Sequence, residues 1–172
     1  LGLAAAGTFN WSFVLPYIVA QMLGGFVGAV LVYAFYKDHY DATDDPATKL
    51  STFCTIPAIR NYGRNLFSEI IGTFVLVFVI LVLATESNTP EVGMGSLGAF
   101  PVAMLIVALG MSLGGTTGYA INPARDLAPR LAHAVLPIRG KGTNDWSYSW
   151  VPVLGPIIGG FLAAGLYCLI CC

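Results

Sequence analysis

Residues 114–126 decide the fold, and they read Gly-Gly-Thr-Thr-Gly-Tyr-Ala-Ile-Asn-Pro-Ala-Arg-Asp. The glycine- and threonine-rich part predicts irregular backbone, after which Asn122 and Pro123 supply the N-cap and first-turn signals of a new helix. Pro137 stops that helix, so it covers residues 122–135 and, at 1.5 Å per residue, is about 20 Å long. The hydrocarbon core of a bilayer is about 30 Å thick. The segment is therefore predicted to be a half-helix.

Charge is scarce in the rest of the chain. Eight Lys and Arg and nine Asp and Glu make 10% of the 172 residues, whereas a soluble domain carries about 25%. With a mean hydropathy of +0.76, the sequence predicts an all-α membrane protein. A helical stub at 1–6 opens the chain, and the one long polar loop is 37–64. The charge-poor stretches predict four spans, at residues 11–36, 65–84, 98–113 and 150–172.

Composition also excludes several classes of function. A net charge of −1 without a basic stripe argues against binding to nucleic acid. Four cysteines are too few for a disulfide framework. Cys168 and Cys171 form a C-x-x-C at the end of an apolar run with no His nearby, so we interpret them as apolar thiols and expect no metal site and no cofactor. The chain starts at Leu1 without a basic segment, which indicates an incomplete chain rather than a signal peptide.

A weak internal repeat connects two of the predicted spans. Residues 24–29 read GGFVGA, and residues 159–164 read GGFLAA. Such echoes are typical of inverted repeats, in which two broken helices meet near the bilayer midplane and form the site. In that architecture the stub at 1–6 is the end of the first half-helix.

The break before the half-helix predicts a hydrated passage. Irregular backbone at membrane depth is tolerated only when it is buried in protein or lines water. The carbonyls of Gly118, Tyr119 and Ala120 would then form a ladder of hydrogen-bond acceptors. The positive N-terminal end of the half-helix points at the same place and disfavours cations. Asn122 can cap this helix and still donate from its amide nitrogen.

Arg125 lies in the first turn of the predicted half-helix. An arginine within a membrane marks a polar pathway by default, although an ion pair with Asp126 or a snorkelling side chain would also account for it. Asp126, Arg130 and His133 are spaced four and three residues apart. One face of the half-helix is therefore either a self-satisfied polar seam or part of the pore.

Asn122-Pro123-Ala124-Arg125, after a Gly/Thr-rich loop, resembles the second signature of the aquaporin family, and the following Asp126 is similar to its glycerol-conducting branch, the aquaglyceroporins. The resemblance implies a bundle of six spans and two re-entrant half-helices, built as an inverted repeat. It also implies a homotetramer in the plasma membrane, embedded in lipid, with one pore per subunit. Residues 1–172 would form a single channel domain holding four spans, one full half-helix and the tail of the other.

The resemblance also implies roles for individual residues. The selectivity filter would contain Arg125, Tyr119 and Gly110, with Gly110 at the place where water-selective channels carry His and Tyr119 where Phe is usual. Glu69 resembles a buried glutamate that accepts hydrogen bonds from the re-entrant loop, and residues 52–57 resemble an outer loop that dips toward the pore mouth. The positions that separate glycerol channels from water channels match Tyr36, Asp126, Arg130, Pro152 and Val153.

These features favour a passive channel for glycerol, other small uncharged solutes and water, which excludes ions and protons. One alternative is a water-selective channel. A second is a secondary transporter with broken helices, for which Glu69 and Asp126 are the candidate coupling acids. An intramembrane hydrolase is disfavoured because Ser112 has no His within its own span, so we expect no enzymatic activity.

The distribution of basic residues disagrees with the orientation that the resemblance implies. The family places the loop 37–64 outside, yet this loop holds four of the eight Lys and Arg, and the loop after Ala84 holds none. The positive-inside rule would therefore predict the inverted membrane orientation, with this loop inside. We give the resemblance more weight.

Overall fold

The computed structural model describes residues 1–84 and 88–171, and within them every regular element is helical. The prediction of an all-α protein is confirmed for this part of the chain. The helices are α1 (Gly2–Ala5), α2 (Val14–Phe35), α3 (Lys37–Ala42), α4 (Pro46–Ser51), α5 (Tyr62–Leu83), α6 (Phe100–Thr117), α7 (Pro123–Val135) and α8 (Val151–Cys171). Short 3₁₀ turns at Trp11–Phe13 and Gly93–Leu97 precede α2 and α6.

Four of these helices are long and apolar enough to cross a membrane: α2 with its leading turn, α5, α6 and α8. Asparagines start two of them, since the Asn10 side chain accepts a hydrogen bond from the Ser12 amide and that of Asn61 accepts one from the Arg64 amide. Because Asn61 is the cap, α5 begins at Tyr62, three residues before its predicted start. Cys172, the last residue of the predicted final span, lies outside the described residues.

Helix α6 extends to Thr117, four residues beyond the predicted end at Leu113. The helix ends at Gly118, which has a φ of +77° and donates its amide to the Gly114 carbonyl at 2.9 Å. A glycine in the left-handed region is the usual C-terminal stop of a helix. Gly114 was therefore misread as a helix breaker, and the irregular segment is shorter than predicted.

The polar loop 37–64 is partly helical. It contains α3 and α4, and the Asp45 carboxylate caps α4 by accepting the amides of Ala47 and Thr48. Next to this loop the ends of α2 and α7 share a small buried core, formed by Tyr33, Tyr40, Phe53, Ala132 and Ile138. This core fixes the end of the half-helix α7 that lies away from its Asn122 cap.

Two equivalent glycines of the internal repeat, Gly25 and Gly160, pack against the two half-helices. A Cβ at Gly25 of α2 would lie 3.0 Å from the Ala128 Cβ of α7. Gly160 of α8 lies against α1, since a Cβ at Gly2 would come within 2.8 Å of the Gly160 carbonyl oxygen. Each half-helix therefore packs on an equivalent glycine of a different span, as an inverted repeat requires.

Helices α5 and α8 approach closely through small residues. A Cβ at Gly155 would lie 2.5 Å from the Glu69 Cβ, and one at Gly159 would overlap the Ile70 carbonyl oxygen. Small residues permit this contact between membrane helices. The contact holds Glu69 in the interior, where only 1% of it is exposed.

Candidate functional site

The connection between α6 and α7 is a short strained segment. Gly118 is followed by Tyr119 at a φ of 40° and Ile121 at a φ of 45°. Side chains seldom adopt this left-handed region, and each such residue costs about 1–3 kcal/mol. Surrounding contacts must therefore hold the segment in place.

Glu69 supplies the main contact. Its Oε1 accepts the Ala120 amide at 3.0 Å, and its Oε2 accepts the Ile121 amide at 2.8 Å. Glu69 leaves the carbonyls of this segment untouched. Those of Gly118, Tyr119 and Ala120 accept no hydrogen bond from any described residue. In this segment Glu69 thus binds the amides of Ala120 and Ile121, and three successive carbonyl acceptors are free.

Asn122 joins this segment to the half-helix. Its Oδ1 accepts the Ala124 amide at 2.9 Å, and its Nδ2 lies 3.5 Å from the Oε1 of Gln21 on α2. Pro123 occupies the first helical turn, and Ala124 is buried. The Asn122 amide group faces a cleft of about 650 Å³, and the other lining side chains with polar atoms are Gln21, Thr73 and the phenol of Tyr17.

This cleft lies between the two half-helices, and apolar side chains dominate its wall. They come from α1, α2, α5, α7 and α8: Leu1, Leu3, Phe9, Val14, Tyr17, Ile18, Met22, Val77, Ile121, Leu127 and Ile157, with Pro123, Pro156, Ala124, Gly2 and Gly160 between them. An apolar wall with few convergent polar groups is typical of a small-molecule passage.

The three predicted filter residues are only partly brought together. The Tyr119 ring lies on Gly110 and Gly114 of α6, since a Cβ at Gly110 would be 2.9 Å from its Cζ and one at Gly114 would be 2.7 Å from its Cδ1. Arg125 is exposed in the first turn of α7 and makes no hydrogen bond or ion pair with another described residue. Its guanidinium donors are therefore free for a solute.

Asp126 and Arg130 form a buried ion pair on the half-helix, and neither side chain is exposed. All five guanidinium donors of Arg130 are used. Two bind Asp126, two bind the carbonyls of Asn144 and Asp145, and one binds the carbonyl of Thr55. Of the two interpretations of this face, the structure has the polar seam: Asp126 and Arg130 are fully paired, and His133 is bound through Nδ1 while its buried Nε2 has no hydrogen-bond partner within residues 1–84 and 88–171. Asp126 pairs with Arg130 and not with Arg125.

The polar seam also holds the loop 52–57. The Asp126 Oδ2 accepts the amide of Thr55 at 2.7 Å and its hydroxyl at 2.6 Å. Beside it, the Ala58 amide donates to the carbonyl of Thr116 at 3.0 Å. Cys54 in this loop is buried, and burial raises the pKa of its thiol to about 12. It is therefore an unreactive apolar thiol.

Comparison with known proteins decides the family. The sequence profile described as "Major intrinsic protein" matches residues 1–167. The chain belongs to the major intrinsic protein family. The resemblance identified from residues 114–126 is thereby confirmed.

Two of three curated relatives of this major intrinsic protein carry glycerol names, and the third is named for lactic acid. A "Probable glycerol uptake facilitator protein" of Thermotoga maritima is 57% identical over 97% of the chain and 69% of its own length. The "Glycerol uptake facilitator protein" of Bacillus subtilis is 53% identical over 97% of the chain and 59% of its own length. A "D/L-lactic acid transporter" of Lactiplantibacillus plantarum is 46% identical over 92% of the chain and 66% of its own length.

A solved structure supports the fold of this major intrinsic protein. The aquaglyceroporin from Plasmodium falciparum superposes with a TM-score of 0.84 at 29% identity, over 99% of this chain and 69% of that one. The predicted aquaporin-like architecture is confirmed, and the protein is a multi-pass membrane protein.

The remaining branch positions of this major intrinsic protein lie apart from the cleft. Pro152 is buried and Val153 half-buried in the first turn of α8. Tyr36, after the end of α2, stacks edge-on against His39 and lines a separate cleft of about 250 Å³. Among the described residues, no group of three His, Cys, Asp or Glu side chains could hold a metal ion.

Sequence reasoning missed the loop between α7 and α8 of this major intrinsic protein. Lys141 donates to three carbonyls at the end of α7, and Asn144 binds the His133 ring at 2.7 Å. Asp145 forms a two-point ion pair with Arg60 of the loop 37–64. The one available signal was Gly-Lys-Gly at 140–142, because paired glycines allow a tight wrap around a helix end.

Proposed function

We propose that this protein is a passive channel in the plasma membrane for glycerol, other small uncharged solutes and water. One observation supports this proposal most directly. A half-helix starts at Asn122, directly after a segment with three free carbonyls at residues 118–120, and Glu69 binds the Ala120 and Ile121 amides of that segment. We further propose a homotetramer in lipid, with one pore in each subunit.

The arrangement suits a solute that carries both hydroxyls and carbon. Solute hydroxyls can donate to the carbonyls of residues 118–120 and accept from Asn122 and Arg125. The carbon backbone of the solute can slide along the apolar wall of the cleft and then along the Tyr119 ring, which lies outside that cleft. Glycerol fits this pattern, because its hydroxyls lie along a short carbon chain.

Ions are excluded by the same groups. The amide end of the half-helix carries about half a positive charge, and Arg125 adds a full one. A cation would lose its water shell and find only neutral carbonyls in a positive field. An anion would be repelled by the partial negative charges of the row of carbonyl oxygens.

The alternatives fit the geometry less well. A coupled transporter needs an acid that is free to bind its ion, but Glu69 binds two backbone amides and Asp126 binds Arg130 and Thr55. A water-selective channel needs a narrower filter than one with glycine at position 110. The names of the relatives favour glycerol as well.

The decisive experiment is stopped-flow light scattering of vesicles that contain the full-length protein. In a glycerol gradient, we expect faster re-swelling than in protein-free vesicles, with no saturation and no dependence on a proton or sodium gradient. Rapid water flux without glycerol flux would support the water-selective alternative and reject the glycerol assignment.

Replacing Gly110 with His should reduce glycerol flux about tenfold and water flux much less, since the added side chain meets the Tyr119 ring and overpacking costs about 1–3 kcal/mol. A Cβ here would lie 3.0 Å from the Tyr119 hydroxyl, so the ring must move into the passage. The measurement is glycerol and water flux per reconstituted channel.

Gly110→Ala and Gly115→Ala provide a matched pair on the same helix. A Cβ at Gly115 meets no atom within 4 Å, so Gly115→Ala should leave both fluxes unchanged while Gly110→Ala lowers glycerol flux. Equal losses of glycerol and water flux in Gly110→Ala would show that this residue does not border the filter.

A further inference from the structure

Lys141 closes the C-terminal end of the half-helix. Its Nζ donates to the carbonyls of His133 at 2.8 Å, Ala134 at 2.7 Å and Leu136 at 2.8 Å. An ammonium group has three donors, and here all three bind carbonyls at the end of the helix; the Leu136 carbonyl also accepts the Ile138 amide at 2.9 Å. The side chain thus acts as a three-point cap on α7.

The loop around Lys141 is shaped for this contact. Gly140 and Gly142 have φ values of +63° and +68°, a conformation in which other residues are strained. A second ammonium, that of the buried Lys49, donates to the carbonyl of Arg139 and fixes the same loop from α4. The loop therefore holds Lys141 at the helix end on a supported backbone.

The cap fixes one end of the helix whose other end faces the solute. α7 has thirteen residues, from Pro123 to Val135, and its first turn carries Arg125. Tyr119 is held independently, by Gly110 and Gly114 of α6 and by Glu69 of α5 through its neighbours. A shift of α7 along its axis would therefore move Arg125 relative to Tyr119.

We propose that Lys141 is a positioning residue for the selectivity filter, which sets the distance between Arg125 and Tyr119 by fixing α7 along its axis. This inference rests on the proposed channel function and extends it to a residue outside the passage. The positive charge of Lys141 also suits the negative end of the helix dipole, so charge and geometry act together.

The test compares Lys141→Met, Lys141→Arg and Lys37→Met in vesicles with the full-length protein. Lys37 is the matched control, because its ammonium lies on the surface in an ion pair with Asp41. We expect Lys141→Met to reduce glycerol flux per channel about three- to tenfold and water flux less than about twofold, because a displaced filter hinders the larger solute more. Lys141→Arg retains the charge and should recover most of the glycerol flux, and Lys37→Met should match the parent protein.

The ratio of the two fluxes separates positioning from stability. Simple destabilisation would remove channels and lower both fluxes equally, and that result, or parent-like flux in Lys141→Met, would overturn the proposal. Hydrogen exchange of the Ala124 amide, which Asn122 binds in the parent, gives a reading independent of transport. Exchange of this amide should be about fivefold faster in Lys141→Met than in the parent. Unchanged exchange would overturn the proposal. Because this measurement does not depend on transport, it remains decisive even if the parent passes no glycerol and the proposed function fails.

Discussion

Replacing Arg130 with Met should destabilise the protein by about 3–5 kcal/mol, the usual cost of breaking a buried ion pair from one side. The substitution leaves the Asp126 carboxylate buried without its counter-charge, and it frees the carbonyls of Thr55, Asn144 and Asp145. Thermal unfolding in detergent should show a large loss of folded protein, and glycerol flux should fall with it.

Two variants provide the comparison for Arg130→Met. Arg139→Met removes an exposed guanidinium from a nearby loop and should leave unfolding unchanged. Arg130→Lys keeps the charge but offers three donors in place of five, so its stability should lie between those of Arg130→Met and the parent. Arg130→Met unfolding at the temperature of Arg139→Met would contradict the role given to the polar seam.

Replacing Glu69 with Gln should abolish glycerol and water flux in channels that still fold. The substitution turns one of two acceptors into a donor, which then faces the amide of Ala120 or Ile121. An unpaired buried amide costs roughly 1–3 kcal/mol, and the segment also loses the contact that offsets its left-handed backbone. We expect the carbonyls of residues 118–120 to leave the passage.

Flux measurements together with hydrogen exchange at Ala120 and Ile121 test this expectation. Both amides should exchange faster in Glu69→Gln than in the parent. Glu91→Gln makes the same chemical change on an exposed loop and should alter neither exchange nor flux. A Glu69→Gln channel with parent-like flux would show that the carbonyl row does not depend on this carboxylate.

The half-helix could be predicted from the sequence because its signals are local. Asn122 and Pro123 mark its start and Pro137 its end, and the structure places α7 at Pro123–Val135. The end of α6 was predicted too early because glycine can either stop a helix or stay helical and make room for a neighbouring side chain. Gly114 stays helical and makes room for the Tyr119 ring, whereas Gly118 supplies the left-handed stop. Sequence alone does not separate these uses.

The partners of the polar side chains could not be predicted from spacing alone. Asp126 and Arg130 were expected to share a face, but their contacts with Thr55 and Asp145 join segments far apart in sequence. Lys141 received no role in advance, because its carbonyl partners are identified only when the loop is folded over the helix end. The contacts with Thr55 and Asp145 depend on the packed bundle, and those of Lys141 depend on how its loop folds back over the helix end.

The charge pattern of the loop 37–64 has a structural explanation. Two of its four basic residues form ion pairs, Lys37 with Asp41 and Arg60 with Asp145, whereas Lys49 donates to the neutral carbonyl of Arg139 and keeps its charge. A count of Lys and Arg therefore overstates the free positive charge on this side. We accordingly expect the loop to lie outside, as the family resemblance implies.

Helix α1 packs on α8 and helix α7 packs on α2, and this arrangement affects the order in which the protein can assemble during synthesis. Helix α1 lies against Gly160 of α8, although the ribosome produces the two nearly at opposite ends of this chain. Until α8 enters the bilayer, α1 can pack only on α5, where a Cβ at Gly2 would lie 2.9 Å from the Val77 Cγ1. The packing of α1 is therefore completed only after residues 151–171 enter the bilayer, so in a chain arrested before residue 151 the α1 amides should exchange faster than in the assembled bundle.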